Sequence, residues 1–179
     1  MNAAPNSSRG RPGGLRRLLV INQVAGPLMR ELLEDLSAAG VRCTLVTGWL
    51  DAEPEQELPF EVAYARRLTK APAWRRLWSW GLFTAQALWR ATRQRCPMVV
   101  VTNPPWPMLA MPLLRRLLGL RYVLLVYDIY PDILERMGRL SSAGCCARLW
   151  RRLSARALAA AARGCGGGSA PGRWRGRLG

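Results

Sequence analysis

Apolar residues along this chain alternate between short continuous runs and segments of helical period. "LRRLLVIN" (15–22) and "VRCTLVT" (41–47) are brief, largely apolar runs of the kind that forms strands covered on both faces. Between them, after the turn "QVAGP", Pro27 opens a helix through Ala39, with Leu28, Leu32, Leu33 and Leu36 on one face and Gly40 as its stop. Such a β-α-β unit implies parallel strands and a right-handed crossover. Gly48 to Pro59, which holds Asp51, Glu53, Glu55 and Glu57, reads as a polar loop. "FEVAYA" alternates as a short third strand does, and a long helix follows from about Trp74 to Gln94. "PMVVVT" (97–102) is the fourth strand, and "NPPWP" leads into a helix from about Met108 to Leu118 capped by Gly119. The fifth strand, "RYVLLVY" (121–127), ends at Asp128, and helical sequence resumes across Ile133–Met137 and Leu149–Ala162.

Five strands alternating with helices predict an α/β fold: a Rossmann-like open parallel sheet, order 3-2-1-4-5, with helices on both faces. The length of 179 residues suits one such domain, expected over 15–162. Residues 1–14 read as a disordered leader. Beyond Arg163, "GCGGGSAPGRWRGRLG" holds seven glycines in sixteen residues and no acid, the composition of a disordered tail over 163–179.

Charge narrows the partners. The net charge is +16, and residues 141–179 carry eight basic residues against no acidic one. That balance favours anionic partners such as a phospholipid surface or a diphosphate. No nucleic-acid-binding signature accompanies it. Five cysteines without a CxxC, in a chain without histidine, offer no metal site, and their thiols are expected to be reduced. The longest apolar region, Met98 to Tyr127, is broken by "NPPWP", Arg115 and Arg116, so no membrane span is predicted. No signal peptide is read at the N-terminus, and a cytoplasmic location is expected.

In an open parallel sheet, ligands bind outside the carboxyl ends of the strands. Three loops fall there: "NQVAGP", "TNPPWP" and "YDIYPD". The first has neither a GxGxxG nor a GxxxxGK[ST] pattern. It serves either as a tight turn or as an anion site at the helix start beside Gly26 and Pro27. The second fixes three φ angles with prolines and presents Trp106 as a stacking surface, or is simply a structural turn. In the third, Asp128 sits among Val126, Tyr127 and Tyr130, where partial desolvation would suit a carboxylate to general-base work. Asp132 follows Pro131 and fits a helix cap, a role also open to Asp128. The long helix mixes Trp74, Trp78 and Trp89 with Arg75, Arg76, Arg90 and Arg93. Such a composition fits either a membrane interface or a helix whose Trp and Leu face the sheet.

The stretch "VVVTNPPWPMLAMPLLRRLLGLRYVLLVYDIYPDILERMG", above all Pro104, Pro105 and "YDIYPD", resembles the N-terminal half of bacterial glycosyltransferases of the family-4 type. Those are GT-B enzymes that build surface polysaccharides on lipid carriers. The likeness runs over roughly Leu15 to Ala162. It implies a first, acceptor-side domain of two, and sugar transfer from a nucleotide-sugar donor to a lipid-linked glycan. It implies Asp128 as base or stabiliser, and acceptor contacts from Gly26, Pro27, Asn103, Pro104, Pro105, Trp106 and Tyr130. A membrane-facing patch at Trp74, Arg75, Arg76 and Trp78 would place the protein peripherally on the inner face of the cell membrane. No cofactor is implied. The second domain, with its acidic E-x7-E motif, has no counterpart here, since no Glu follows Glu135. A truncated chain, inactive alone, is the expectation. The alternative is a non-catalytic basic module that binds anionic membrane or nucleic acid.

Overall fold

The computed structural model describes residues 16–53, 56–69, 71–127 and 144–165. Its main sheet has five parallel strands: β1 (Arg17–Ile21), β3 (Arg42–Thr47), β5 (Glu61–Tyr64), β6 (Met98–Val101) and β7 (Tyr122–Leu125). They lie in the order β5-β3-β1-β6-β7, which is 3-2-1-4-5 when these five alone are counted along the chain. Two further strands, β2 (Val24–Ala25) and β4 (Trp49–Leu50), pair in parallel and form a small second ribbon. β4 lies within the segment expected to be loop; a two-residue strand carries no period that a sequence reading could detect.

Alternate side chains of the central strands enter two different cores, as the period of a strand requires. Leu18, Val20, Cys43, Leu45 and Val101 pack with Met29 and Leu33 of α1 (Pro27–Ala38). Leu19, Ile21, Val46, Met98, Val100 and Tyr122 pack beneath α2 (Ala73–Gln94), α3 (Pro105–Leu118) and α4 (Cys145–Cys165). Burial on both faces explains why β1, β3 and β6 read as largely apolar runs. It also raises the Cys43 and Cys96 thiols above the usual range, because both are buried away from water. α4 is tied down from two sides: the Tyr122 hydroxyl donates to the Ala157 carbonyl at 2.8 Å, and Arg115 Nη1 donates to the Ala160 carbonyl.

Two expectations change. The buried face of α1 is Met29 and Leu33, with Leu36 packed beside them, whereas Leu28 and Leu32 are exposed. The apolar arc of that helix is wide, and the sheet takes only one side of it. α3 begins at Pro105 rather than near Met108, because Pro105 and Pro107 fall in the first turn, where a missing N–H removes no helical hydrogen bond. Gly40 and Gly119 follow their helices in the left-handed region, at φ 86° and 67°. The leader, most of the tail and the helical reading at Ile133–Met137 lie outside the described residues.

Candidate functional site

β1 and β6 are neighbours in the sheet, yet the chain leaves them in opposite directions: β1 passes to α1 on one face, β6 to α3 on the other. A crevice opens where such crossovers diverge. Both helices begin at this end of the sheet. Neither is capped by a side chain, and neither has an acidic residue in its first turn, so two positive helix ends stand uncompensated. Gly26 is the N-cap of α1, with the exposed Pro27 at the first helical position. A Cβ at Gly26 would meet no atom of the described residues within 4 Å, so this turn leaves space for a ligand. The Asn22 carboxamide lies beneath it, buried; its Oδ1 accepts the Val24 N–H at 3.3 Å, while its Nδ2 has no acceptor among the described residues.

Gln23 organises the rest of this edge. Its Nε2 donates to the Arg66 carbonyl at 3.0 Å and to the Ser79 carbonyl at 3.4 Å, while its own carbonyl accepts the N–H groups of Gly48 and Trp49. One buried amide thus joins the ends of β1, β3 and β5 to α2. Gly48 permits the arrangement, since a Cβ there would lie 2.5 Å from the Arg66 oxygen. At β6, Thr102 is buried and accepts the Tyr127 N–H at 3.1 Å, which ties the end of β7 to the same rim. Asn103 is exposed, Pro104 and Pro105 are buried, and Trp106 is part-exposed on the first turn of α3.

Trp106 does not stand alone. Gly81 of α2 leaves room for its indole: a Cβ on Gly81 would lie 3.2 Å from Trp106 Cζ3. Trp74, Leu77, Trp78, Gly81, Leu82 and Trp106 together line an open groove of about 720 Å³. Two sets of residues that the sequence treated separately, the stacking residue of one loop and the tryptophans of the long helix, share this one surface.

On α2 the sheet-facing positions are Trp80, Phe83, Ala87 and Ala91, whereas Trp74, Trp78 and Trp89 are each at least 60% exposed. Arg75 lies over the Trp74 ring at 5.1 Å and Arg93 over Trp89 at 4.1 Å. Arg76 is half-buried, over the Trp80 ring at 5.5 Å. α3 adds exposed Leu113 and Leu117.

Residues 25–165, from the end of β2 through α4, match the sequence profile of Glycosyltransferase Family 4. The chain belongs to glycosyltransferase family 4. A search of curated proteins finds no match. Membership of family 4 supports glycosyl transfer as the class of activity.

For this family-4 domain, Gly26, Pro27, Asn103, Pro104, Pro105 and Trp106 occupy the ends of β1 and β6 that flank the crevice. Asp128, Tyr130 and Asp132 lie outside the described residues, which reach Tyr127 on this side. Sequence reasoning missed Gln23, Gly48 and Gly81. Gln23 carried a signal, a polar residue directly after a buried strand. The two glycines carried none, because what they make room for lies 18 and 25 residues further along the chain.

Proposed function

We propose that this chain is the acceptor-binding side of a two-lobed, GT-B-type glycosyltransferase, which moves a sugar from a nucleotide-sugar donor to a lipid-linked glycan in surface polysaccharide synthesis. The observation that carries the reading is the crevice between β1 and β6: two uncompensated helix N-termini flank it in a family-4 domain. Such ends favour the phosphate oxygens of a diphosphate-linked acceptor. In that reading the second lobe binds the nucleotide sugar, and turnover needs both lobes. Asp128, which follows Tyr127 in the sequence, supplies the base for the acceptor hydroxyl.

The lipid carrier accords with a second feature. No Asp or Glu occurs from residue 62 to residue 127, a span that includes all of α2 and α3. The exposed tryptophans and arginines of α2 therefore form a surface without an opposing charge, suited to an anionic membrane. The protein accordingly works peripherally, at the inner face of the cell membrane.

Hydrogen exchange of the chain with and without a geranylgeranyl-diphosphate-linked monosaccharide tests the acceptor site. Protection is expected at the amides of residues 22–26, Asn103 and Trp106, the intervening prolines having none. Protection confined to the cavity at the opposite strand ends, lined by Arg17, Arg42, Cys43 and Cys96, would refute it.

A further inference from the structure

We propose that the groove between α2 and Trp106 holds the isoprenoid chain of a phosphorylated lipid, drawn out of the bilayer as a single chain. This rests on the lipid-linked reading above and adds a site to it. Among the described residues, three indoles, two leucines and a glycine line the groove, and no charged side chain does. A peptide laid there in extended form would leave its backbone N–H and C=O groups unpaired; a hydrocarbon has none to satisfy. The surface is concave, with Gly81 beside the Trp106 indole. Insertion into a membrane needs only projecting side chains. A hollow lined by these side chains instead leaves room for something to enter the protein.

The flanking charge identifies the head group. Arg75 and Arg76 adjoin the groove, and the absence of any carboxylate from residue 62 to residue 127 favours an anionic amphiphile over a cationic one. Position fixes its direction. Trp106 is two residues from Pro104, on the loop that flanks the crevice, so a chain in the groove leads its phosphate toward the uncompensated start of α3. The groove is bounded by α2 on one side and the Trp106 indole on the other, and one chain, rather than the paired acyl chains of a phospholipid, is assigned to it. The three indoles also offer a methyl-branched, unsaturated chain more contact per unit length than a straight saturated one.

The test is titration calorimetry of the full chain with geranylgeranyl monophosphate below its micellar concentration, with hexadecyl phosphate as comparison. Vesicle flotation on phosphatidylglycerol-containing liposomes runs in parallel. Gly81→Leu pushes its side chain against the Trp106 indole, whose Cζ3 lies 3.2 Å from the new Cβ, and so displaces one wall of the groove while keeping Trp74, Trp78 and every charge; leucine is a better helix former than glycine, and far-UV circular dichroism checks that the fold is kept. Leu77→Asp, at an exposed position, places a carboxylate in the groove and serves as a second variant. The expected result is at least a tenfold loss of geranylgeranyl phosphate affinity in both variants, with flotation of Gly81→Leu unchanged. Wild-type affinity in both variants would overturn the groove assignment. Equal wild-type affinity for hexadecyl phosphate would overturn the choice of an isoprenoid. A wild-type chain that floats with vesicles but binds neither phosphate would sink the groove alone, whereas one that does neither would sink the lipid-linked reading with it.

Discussion

Replacing Gly48 by alanine tests how the crevice edge is assembled. The new Cβ would lie 2.5 Å from the Arg66 oxygen and 2.8 Å from Arg67 Cα, both backbone atoms that no rotamer change can move. To reach the 3.4 Å of ordinary contact, the Arg66 carbonyl must retreat by about 0.9 Å. That carbonyl accepts from Gln23 Nε2 at 3.0 Å, and the Arg66 N–H donates to Gln86 Oε1 at 2.8 Å, so the shift strains the tie between β1, the end of β5 and α2. Overpacking of this kind costs about 1–3 kcal/mol, and loss of the Gln23 bond adds about 1 kcal/mol. A total of about 2–4 kcal/mol corresponds to a fall in melting temperature of roughly 5–15 °C for a chain of this size. Thermal unfolding followed by far-UV circular dichroism measures it, with denaturant midpoints as a check. Gln23→Leu should destabilise by a similar amount, because it strands the Arg66 and Ser79 carbonyls. The double variant should fall short of the sum, because both substitutions break the same bond. A Gly48→Ala protein that melts within about 1 °C of wild type would show that the 66–67 segment is not held against β3 as described.

Two further outcomes follow from the same surfaces. Binding to vesicles should rise with anionic lipid and weaken in salt, and replacing Arg75 and Arg93 by glutamine should cost about 2 kcal/mol, roughly 30-fold in affinity; flotation indifferent to lipid charge would leave these arginines as mere solvated residues. In an enzyme supplied with its donor lobe, Asp128→Asn should lower turnover by roughly two to four orders of magnitude while acceptor binding persists, and an undiminished rate would remove Asp128 from the chemistry.

The sheet was legible because its strands are buried on both faces, which removes the polar alternation and leaves runs such as "LLVI" and "MVVV". Helix faces were less legible. Leu28, Met29, Leu32, Leu33 and Leu36 span about 140° of α1, and nothing in their spacing says that the sheet takes Met29 and Leu33 and leaves Leu28 to water. For α2 the sequence left two orientations open, and the exposure of Trp74, Trp78 and Trp89 selects the outward one. Two of the three loops read from the sequence, "NQVAGP" and "TNPPWP", lie at the ends of β1 and β6, since strand ends follow from strands, while "YDIYPD" runs beyond the described residues. The groove was not legible. Trp106 and Trp74 are 32 residues apart, and only the crossover that returns the chain through β6 to α3 brings them to one surface.

The direction of α2 links the two halves of the proposed function. The helix starts at the carboxyl end of the sheet, where β5 delivers the chain, and runs back along the strands to Gln94. Trp74, Trp78 and Trp89 span 15 residues, about 22 Å of helix, and fall within about 60° of one another around its axis. On α3, which packs beside it, Trp106, Leu113 and Leu117 form a second exposed stripe within about 40°. A single-sign, apolar surface spread over two adjacent helices exceeds the scattered exposed leucines of an ordinary domain face. Both helices begin at the crevice end, so a bilayer resting on those stripes lies alongside the acceptor site rather than behind it. A lipid-borne acceptor would then reach the crevice by lateral movement and a short climb along the groove, with its phosphates arriving at two helix starts whose first turns hold no acidic residue.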